Sequence, residues 1–231
     1  MSFDFGLIVS SLPHIASGIG VTLKLLIVSS FIGLLLAICI LLLRMSGRWY
    51  FAWPAMIYIY FLRGTPILVQ IFIIYHGLPQ FEFIRNSIFW PILREPFGCC
   101  VIALSLNSSA YVSEILRGGV MAVDRGVTEA AKALCLSTRQ RFIHITAPIA
   151  IRISLPAYGN EFISMMKATA LASTVTLMDI TGVARTIVAT TFAPYEIFIA
   201  AAIIYLAMAW LFQVGFSKLE FQTSRYLRKA S

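Results

Sequence analysis

Charged residues are scarce in this chain of 231 residues. Only 12% of the residues are Asp, Glu, Lys or Arg, whereas 59% belong to the apolar set AVILMFWYC. Soluble domains contain about 25% charged and about 45–50% apolar residues. Ten acidic and eighteen basic side chains are too few to form the polar surface of a water-soluble protein of this size. The composition therefore argues against a soluble enzyme, a disordered tail and a nucleic-acid-binding domain, and it predicts that lipid surrounds much of the chain.

Cysteine is also scarce, and the common catalytic signatures are missing. No CxxC pair occurs, and three of the four cysteines lie in apolar runs, so we expect small buried thiols rather than a disulfide framework or a zinc site. The sequence lacks a GxxxxGK[ST] phosphate loop, an HExxH pair and a GxSxG elbow. We therefore predict a chain that is not an enzyme and that binds no metal or cofactor, ATP included. The four cysteines are Cys39, Cys99, Cys100 and Cys135.

Long apolar segments predict an all-α membrane protein with one domain, residues 1–231, and five transmembrane helices. A spanning helix needs about 20 mostly apolar residues. The second predicted span is interrupted by Arg63, Gly64 and Pro66, and residues 4–17 are expected to form a short interfacial segment. The five predicted spans are residues 25–43 with a start near 20, 49–76, 96–114, 155–180 and 197–217.

Basic residues are divided unevenly between the two sides of these spans. Twelve would lie on the side of the loop after the first span, the long loop 118–155 and the C-terminal tail, against three on the other side. The positive-inside rule then predicts an outside N-terminus, a cytoplasmic C-terminus and a cytoplasmic long loop. This placement explains the net charge of +8 without nucleic acid. The twelve are Arg44, Arg48, Arg117, Arg125, Lys132, Arg139, Arg141, Arg152, Lys218, Arg225, Arg228 and Lys229, and the three are Arg85, Arg94 and Arg185.

The long loop 118–155 has the signals of two short helices. Residues 124–126 are typical of a turn, and Thr128 is a candidate N-cap with an acid following it in the first turn. Ser137 and Gln140 have the spacing of a capping box that opens a second helix, which is expected to stop near Pro148. The first helix is rich in alanine, which lets it approach another protein closely. Docking to a partner and lying on the membrane surface both remain open from these signals.

The spacing of this loop resembles the EAA motif of ATP-binding-cassette (ABC) importer permeases. Glu129-Ala130-Ala131 is followed by three residues, Cys135, nine residues, Ile145, one residue, Ala147 and Pro148. In that family the motif forms the coupling helices that dock into a groove of the ATPase subunit. The motif's glycine is replaced by Cys135 and its usual leucine by Ala147; both substitutes are small, so we expect the turn to survive.

Other segments resemble the polar amino acid permeases of the same class. They are residues 61–70, 106–107, 110–111, 114–115, 155–161 and 167–169, and the likeness extends from about residue 18 to 216. The overall pattern is most similar to the subunits for histidine, lysine, arginine and ornithine and to the opine (octopine and nopaline) permeases. The resemblance implies a bacterial inner-membrane complex with a second permease subunit (a copy or a homologue), a dimer of ABC ATPase subunits that holds ATP and magnesium, and a periplasmic substrate-binding protein.

Polar side chains at membrane depth are candidates for a substrate path, because such groups are costly in lipid. Arg63 could bind a carboxylate with two hydrogen bonds, or it could pair with Glu114 or Glu161. Glu161 could accept the cationic end of a basic amino acid. Asn107 and Tyr111 share a helix face, where they could line a path or bond neighbouring helices. The full set of candidates is Arg63, Thr65, Gln70, Asn107, Tyr111, Glu114, Asn160, Glu161 and Lys167.

The competing function is a gradient-driven transporter or channel subunit. Intramembrane Glu and Lys residues would suit an ion or proton relay. The EAA-like spacing argues against this function, as does the lack of two matching halves. We therefore predict an ABC permease subunit that moves a polar or basic amino acid or an opine.

Overall fold

Helices form all the regular structure in residues 4–224, the part of the chain that the structure, a computed structural model, describes. The predicted all-α class is therefore confirmed for these residues. Three of the basic residues counted above, Arg225, Arg228 and Lys229, lie outside the described range. The α-helices are α1 (Phe5–Ala16), α2 (Ile19–Arg44), α3 (Trp49–Gly64), α4 (Ile67–Phe72), α5 (Glu82–Arg85), α6 (Trp90–Leu93), α7 (Pro96–Met121), α8 (Arg125–Ala133), α9 (Thr138–Arg141), α10 (Ala147–Ala168), α11 (Ile180–Thr191) and α12 (Pro194–Ser224).

Three of these helices, α2, α7 and α12, are long and apolar enough to cross a membrane by themselves. Two further candidates are bent pairs. Helix α3 meets the segment Ile67–Gln80 at 104°, and the segment Thr138–Val175 meets α11 at 48°. Residues 4–224 therefore contain three candidate spans, or five if each bent pair counts as one, and five is the number that the sequence predicts.

The helices that contain the third and fourth predicted spans extend beyond the bounds predicted for those spans. Helix α7 continues to Met121, past the predicted end at residue 114, and α10 begins at Ala147, well before residue 155. Gly118 and Gly119 lie inside α7, and Gly119 is a packing position against α10. A Cβ atom on Gly119 would overlap the Ser154 Oγ and the Ala150 carbonyl oxygen, so only glycine lets α7 and α10 approach this closely.

The helix after Ser137 does not stop near Pro148 as predicted. A π-helical turn, Phe142–Thr146, joins α9 to α10, and Pro148 lies in the first turn of α10. Proline has no N–H and its ring crowds the carbonyl four residues earlier. In the wider π turn the hydrogen bonds span five residues instead of four, and the change of pattern falls just before Pro148. The missing N–H of the proline therefore does not end the helix.

Helix α1 is packed into the bundle, where the sequence suggested an interfacial segment. Its side chains Ile8 and Ile15 are buried in one apolar cluster with Met166 of α10 and Ile197 of α12. A second cluster joins α2, α7 and the segment after α4, and a third joins α2, α3 and α7. Helix α7 takes part in the second and third of these clusters.

A buried polar group, which the sequence analysis missed, fixes the start of α11. Asp179 is fully buried and caps α11 by accepting hydrogen bonds from the Thr181 and Gly182 N–H groups at 3.2 and 2.9 Å. The Tyr205 hydroxyl of α12 donates to the same carboxylate at 3.1 Å. The Ile180 N–H donates to Thr22 Oγ1 of α2 at 3.3 Å. These bonds tie three helices together at one point.

Candidate functional site

The bend between α3 and α4 is produced by a proline and stabilised by side chains. Pro66 has no N–H to donate to the Leu62 carbonyl four residues earlier, so the helix cannot continue. Thr65 takes an extended conformation, and its hydroxyl donates to the Phe61 carbonyl at 2.9 Å. Irregular backbone at membrane depth is tolerated where it is buried in protein or lines a cavity. The second condition holds here, because Gly64, Thr65 and Pro66 line a cavity.

Two amide side chains lie against this bend. Gln70 Nε2 and Asn107 Nδ2 both donate to the Leu62 carbonyl oxygen, at 2.9 and 3.2 Å. Asn107 Nδ2 also donates to Gln70 Oε1 at 3.1 Å. Gln70 is buried and lines neither of the two cavities described below, so the structure favours the bonding of neighbouring helices as its role.

A cavity of about 410 Å³ opens beside the bend, between α3, α7 and α10. Arg63 enters it from the end of α3, and its guanidinium lies 4.9 Å from the centre of the Tyr111 ring on α7, a cation–π contact. Glu161 enters from α10. The lining residues are Arg63, Gly64, Thr65, Pro66, Ile67, Leu104, Asn107, Ser108, Tyr111, Glu161, Ser164, Met165 and Ala168.

Arg63 and Glu161 share this cavity without forming an ion pair. The ion pairs within 4.0 Å in residues 4–224 are Arg44–Glu114, Arg94–Glu95 and Arg117–Glu114. Glu161 makes no hydrogen bond to any other side chain or backbone group that the structure describes, although it is partly buried. The cavity therefore presents a cation and an anion that are not bonded to each other.

A second chamber of about 570 Å³ adjoins the first and shares Arg63, Gly64 and Tyr111 with it. Its far end is formed by Arg44 of α2 and Glu114 of α7. Glu114 is bonded to Arg44 at 3.3 Å and to Arg117 at 2.8 Å. Glu114 is therefore paired with Arg44 and Arg117, and the alternative pairing of Arg63 with Glu114 is not found among residues 4–224.

The structure brings most of the predicted path residues together and leaves two of them apart. Five of them line the first cavity and Glu114 lines the second chamber, with Gln70 behind the bend. Asn160 and Lys167 are exposed and line neither cavity, because they lie on other faces of α10 than Glu161. The five are Arg63, Thr65, Asn107, Tyr111 and Glu161.

Several lining residues were missed although helical periodicity places them on the same faces. Ser164 and Ala168 follow Glu161 by three and seven residues, and Leu104 precedes Tyr111 by seven. They were overlooked because small and apolar side chains do not stand out in a search for polar groups.

The first helix of the long loop begins earlier than predicted. Asp124 is its N-cap, since Asp124 Oδ1 accepts hydrogen bonds from the Gly126 and Val127 N–H groups at 2.6 and 3.3 Å. Thr128, the predicted N-cap, is inside α8 and donates its hydroxyl to the Arg125 carbonyl at 2.7 Å. The turn predicted at residues 124–126 is the first turn of this helix, because aspartate competes well with threonine for the cap.

Cys135, at the position of the motif's glycine, ends α8 in a left-handed conformation with φ of 55°. The Cys135 N–H donates to the Lys132 carbonyl at 2.9 Å and the Leu136 N–H donates to the Ala131 carbonyl at 3.3 Å. This pair of bonds is the Schellman motif, in which glycine is the usual left-handed residue. The predicted turn is therefore present. Its left-handed position is occupied by Cys135, whose Cβ strains the backbone in a way that glycine would not.

The remaining positions of the motif surround this turn. Ser137 and Gln140 form the predicted capping box at the start of α9. Ala131 is buried, whereas Glu129 and Ala130 are exposed, and Ile145 and Pro148 are partly exposed. Val127 and Leu134 are 41% and 74% exposed. Together with Ala130 they form an apolar stripe on one face of α8, spaced by three and four residues.

Comparison with known proteins identifies the class. Residues 29–221 match the model of the family described as binding-protein-dependent transport system inner membrane component. The octopine transport system permease protein of Rhizobium meliloti is 44% identical over 220 residues, which covers 95% of this chain and 90% of that protein. The nopaline permease protein of Agrobacterium fabrum is 42% identical over 90% of this chain and 87% of its own length. The histidine/lysine/arginine/ornithine permease protein of Escherichia coli K12 is 37% identical over 93% and 91%.

Solved structures have the same fold. The crystal structure of an amino acid ABC transporter with histidines contains a chain with a TM-score of 0.85 and 39% identity, covering 96% of this chain and 100% of that one. An inward-facing structure of the MetNI methionine ABC transporter gives a TM-score of 0.75 at 12% identity, with coverage of 93% and 98%. The second likeness concerns the fold alone.

Proposed function

This chain belongs to the family of binding-protein-dependent transport system inner membrane components and is a permease subunit of an ABC importer, and we propose that it carries a polar or basic amino acid or an opine. The names of the relatives support this substrate class. We also propose that the membrane is the bacterial inner membrane. The family membership decides against the gradient-driven transporter that the sequence left open.

The observation that supports the substrate class is the placement of Arg63 and Glu161 in one cavity without an ion pair between them. Amino acids and opines carry a carboxylate, which the planar guanidinium of Arg63 matches with two parallel hydrogen bonds. A basic amino acid also carries a cationic end, for which Glu161 is the partner. Binding such a ligand satisfies two charges that the protein leaves unpaired, which offsets the cost of holding them at membrane depth.

The proposed orientation has the N-terminus outside and the C-terminus in the cytoplasm. The Arg44–Glu114 ion pair joins the end of α2 to the end of α7, and the Ser154 hydroxyl of α10 donates to the Ile115 carbonyl of α7 at 3.3 Å. The loops rich in Arg and Lys are therefore gathered at one end of the bundle, which supports a cytoplasmic position for that end. On this orientation the second chamber lies on the cytoplasmic side of the first and forms the exit.

The coupling role falls to α8 and the turn at Cys135. The exposed stripe of Val127, Ala130 and Leu134 offers a narrow apolar surface for a groove of an ATPase subunit, and Glu129 stands beside it. The proposed partners are two ATPase subunits that hold ATP and magnesium, a second permease subunit, either a copy or a homologue, and a periplasmic binding protein. This chain supplies the path and binds no nucleotide itself.

Reconstituted uptake tests the proposal. The chain is placed in liposomes with the ATPase, permease and binding protein encoded beside it, and radiolabelled arginine, ornithine, histidine, octopine and nopaline are offered with internal ATP or with only an ion gradient. We expect uptake of one of them that requires ATP. Uptake driven by the gradient alone would contradict the energy source, and ATP-driven uptake of none of the five would contradict the substrate class.

Two variants test the cavity. Arg63→Ala and Glu161→Gln should each lower the initial rate of ATP-driven uptake by tenfold or more, because each removes a charge-assisted contact worth about 1.5–3 kcal/mol. Arg48→Ala and Glu220→Gln, which change residues outside both chambers, serve as matched controls. Equal rates in the cavity variants and their controls would refute the assignment of this cavity.

A further inference from the structure

The Leu62 carbonyl lies at the point where the second candidate span breaks. In an unbroken helix its donor would be the N–H of residue 66, which is proline and has none. A carbonyl without a partner at membrane depth is costly, since no water replaces the lost bond. Gln70 and Asn107 supply the replacement donors from two different helices, α4 and α7.

The donors of the two amides are all occupied by protein acceptors. Asn107 Nδ2 has two hydrogens and bonds Leu62 O and Gln70 Oε1. Gln70 Nε2 bonds Leu62 O, the Thr65 carbonyl at 3.1 Å and the Thr65 hydroxyl at 2.8 Å. An amide group offers only two N–H donors, so neither side chain has one left for a substrate. Their N–H groups therefore act on the protein and not on the transported molecule.

The residue that follows Leu62 is Arg63, so the amides fix the backbone from which this guanidinium extends. Asn107 holds that backbone, and Tyr111, one helical turn further along α7, holds the guanidinium face. Residues of the same helix, α7, therefore contact both the backbone next to Arg63 and its guanidinium group. Losing either amide removes one of the two side-chain donors to the Leu62 carbonyl, and the end of α3 is then held less firmly.

We infer that Gln70 and Asn107 are positioning residues that set the placement of Arg63 in the cavity. This inference rests on the proposed role of Arg63 in binding a substrate carboxylate. It predicts that the two amides contribute to transport only through Arg63. A residue that merely stabilised the fold would act independently of Arg63.

The first test measures the position directly and needs no substrate. Arg63→Cys is introduced into a chain in which the exposed cysteines are removed by Cys39→Ser and Cys135→Gly, while the buried pair is kept. The purified permease–ATPase complex is treated with a cationic methanethiosulfonate reagent. We expect Asn107→Leu and Gln70→Met each to change the rate of modification at position 63 by threefold or more.

Controls come from the same residue types elsewhere in the chain. Gln80→Met removes an exposed glutamine that also donates to a backbone carbonyl, and Asn86→Leu removes an exposed asparagine. Both should leave the labelling rate at position 63 unchanged. An unchanged rate in Asn107→Leu and Gln70→Met complexes that assemble normally would overturn the inference. If Asn107→Leu does not assemble, Asn107→Ser and Gln70→Met decide the outcome.

A double-variant cycle tests the functional link. Initial rates of ATP-driven arginine uptake, or of octopine where that is the substrate, are compared for Arg63→Ala, Asn107→Leu and the two changes combined. Positioning predicts that the combined variant is as slow as Arg63→Ala and no slower. Losses that multiply would show an independent structural role and overturn the inference. If Arg63→Ala alone leaves uptake unchanged, the carboxylate assignment fails, while the labelling test still decides whether the amides place residue 63.

Discussion

Replacing Cys135 by glycine should stabilise the turn that joins α8 to α9. A side chain in the left-handed region costs about 1–2 kcal/mol relative to glycine. Glycine loses about 0.5–1 kcal/mol of this advantage because it is more flexible in the opened loop. The net gain is about 0.5–1 kcal/mol, which slows local opening by about two- to fivefold. The φ of 55° at Cys135 is the observation on which the estimate depends.

Hydrogen–deuterium exchange on the nucleotide-free permease–ATPase complex measures this opening. The informative amides are those of Cys135 and Leu136, which donate to the Lys132 and Ala131 carbonyls. Cys135→Ala is the matched control, because it removes the thiol and keeps the Cβ, and it should not slow exchange. Exchange that is as fast in Cys135→Gly as in the parent, or equally slowed in Cys135→Ala, would refute the strain argument.

Three further substitutions probe packing, charge and docking. Gly119→Ala should lower the Tm of the complex, since overpacking costs about 1–3 kcal/mol, whereas Gly118→Ala, whose Cβ meets nothing within 4 Å, should not. Glu114→Gln should destabilise by about 1–3 kcal/mol because it leaves two arginines without their carboxylate; the exposed Glu95→Gln should change stability by less than about 0.5 kcal/mol in the same denaturation assay. Leu134→Asp should abolish copurification of the ATPase while leaving the helix content by circular dichroism unchanged.

Sequence patterns predicted what depends on neighbours along the chain. Uninterrupted apolar runs located α2 and α12, and the spacing of Ser137 and Gln140 predicted a cap that the structure contains. The break at Pro66 was equally visible, because a missing N–H is a property of one residue. The competition between Asp124 and Thr128 for the cap was decided wrongly, since both are good N-caps and only the path of the chain selects one.

Contacts between helices that are far apart along the chain could not be predicted from the sequence. Nothing local distinguishes Gly119, which packs against α10, from Gly118, which meets nothing. Arg44 and Glu114 are separated by 70 residues, so their ion pair follows from the parallel approach of α2 and α7 and from no motif. Asn107 and Gln70 were recognised as polar residues at membrane depth, but their shared acceptor, the Leu62 carbonyl, became apparent only from the bend.

On the proposed function, the arrangement of the cavity links a movement of the long loop 118–155 to the transported molecule. The two charges of the cavity belong to different helices: Glu161 is part of α10, whereas Arg63 is tied to α7 through Asn107 and Tyr111. Along the chain, helices α7 and α10 lie on either side of α8 and α9, and they touch at Gly119, where there is no room for a side chain. With the proposed coupling role, a displacement of α8 that pivots these helices about that contact would change the separation of Arg63 and Glu161. On this proposal, a ligand that bridges both groups would be bound in one arrangement and released in the other, with no change in its own charge.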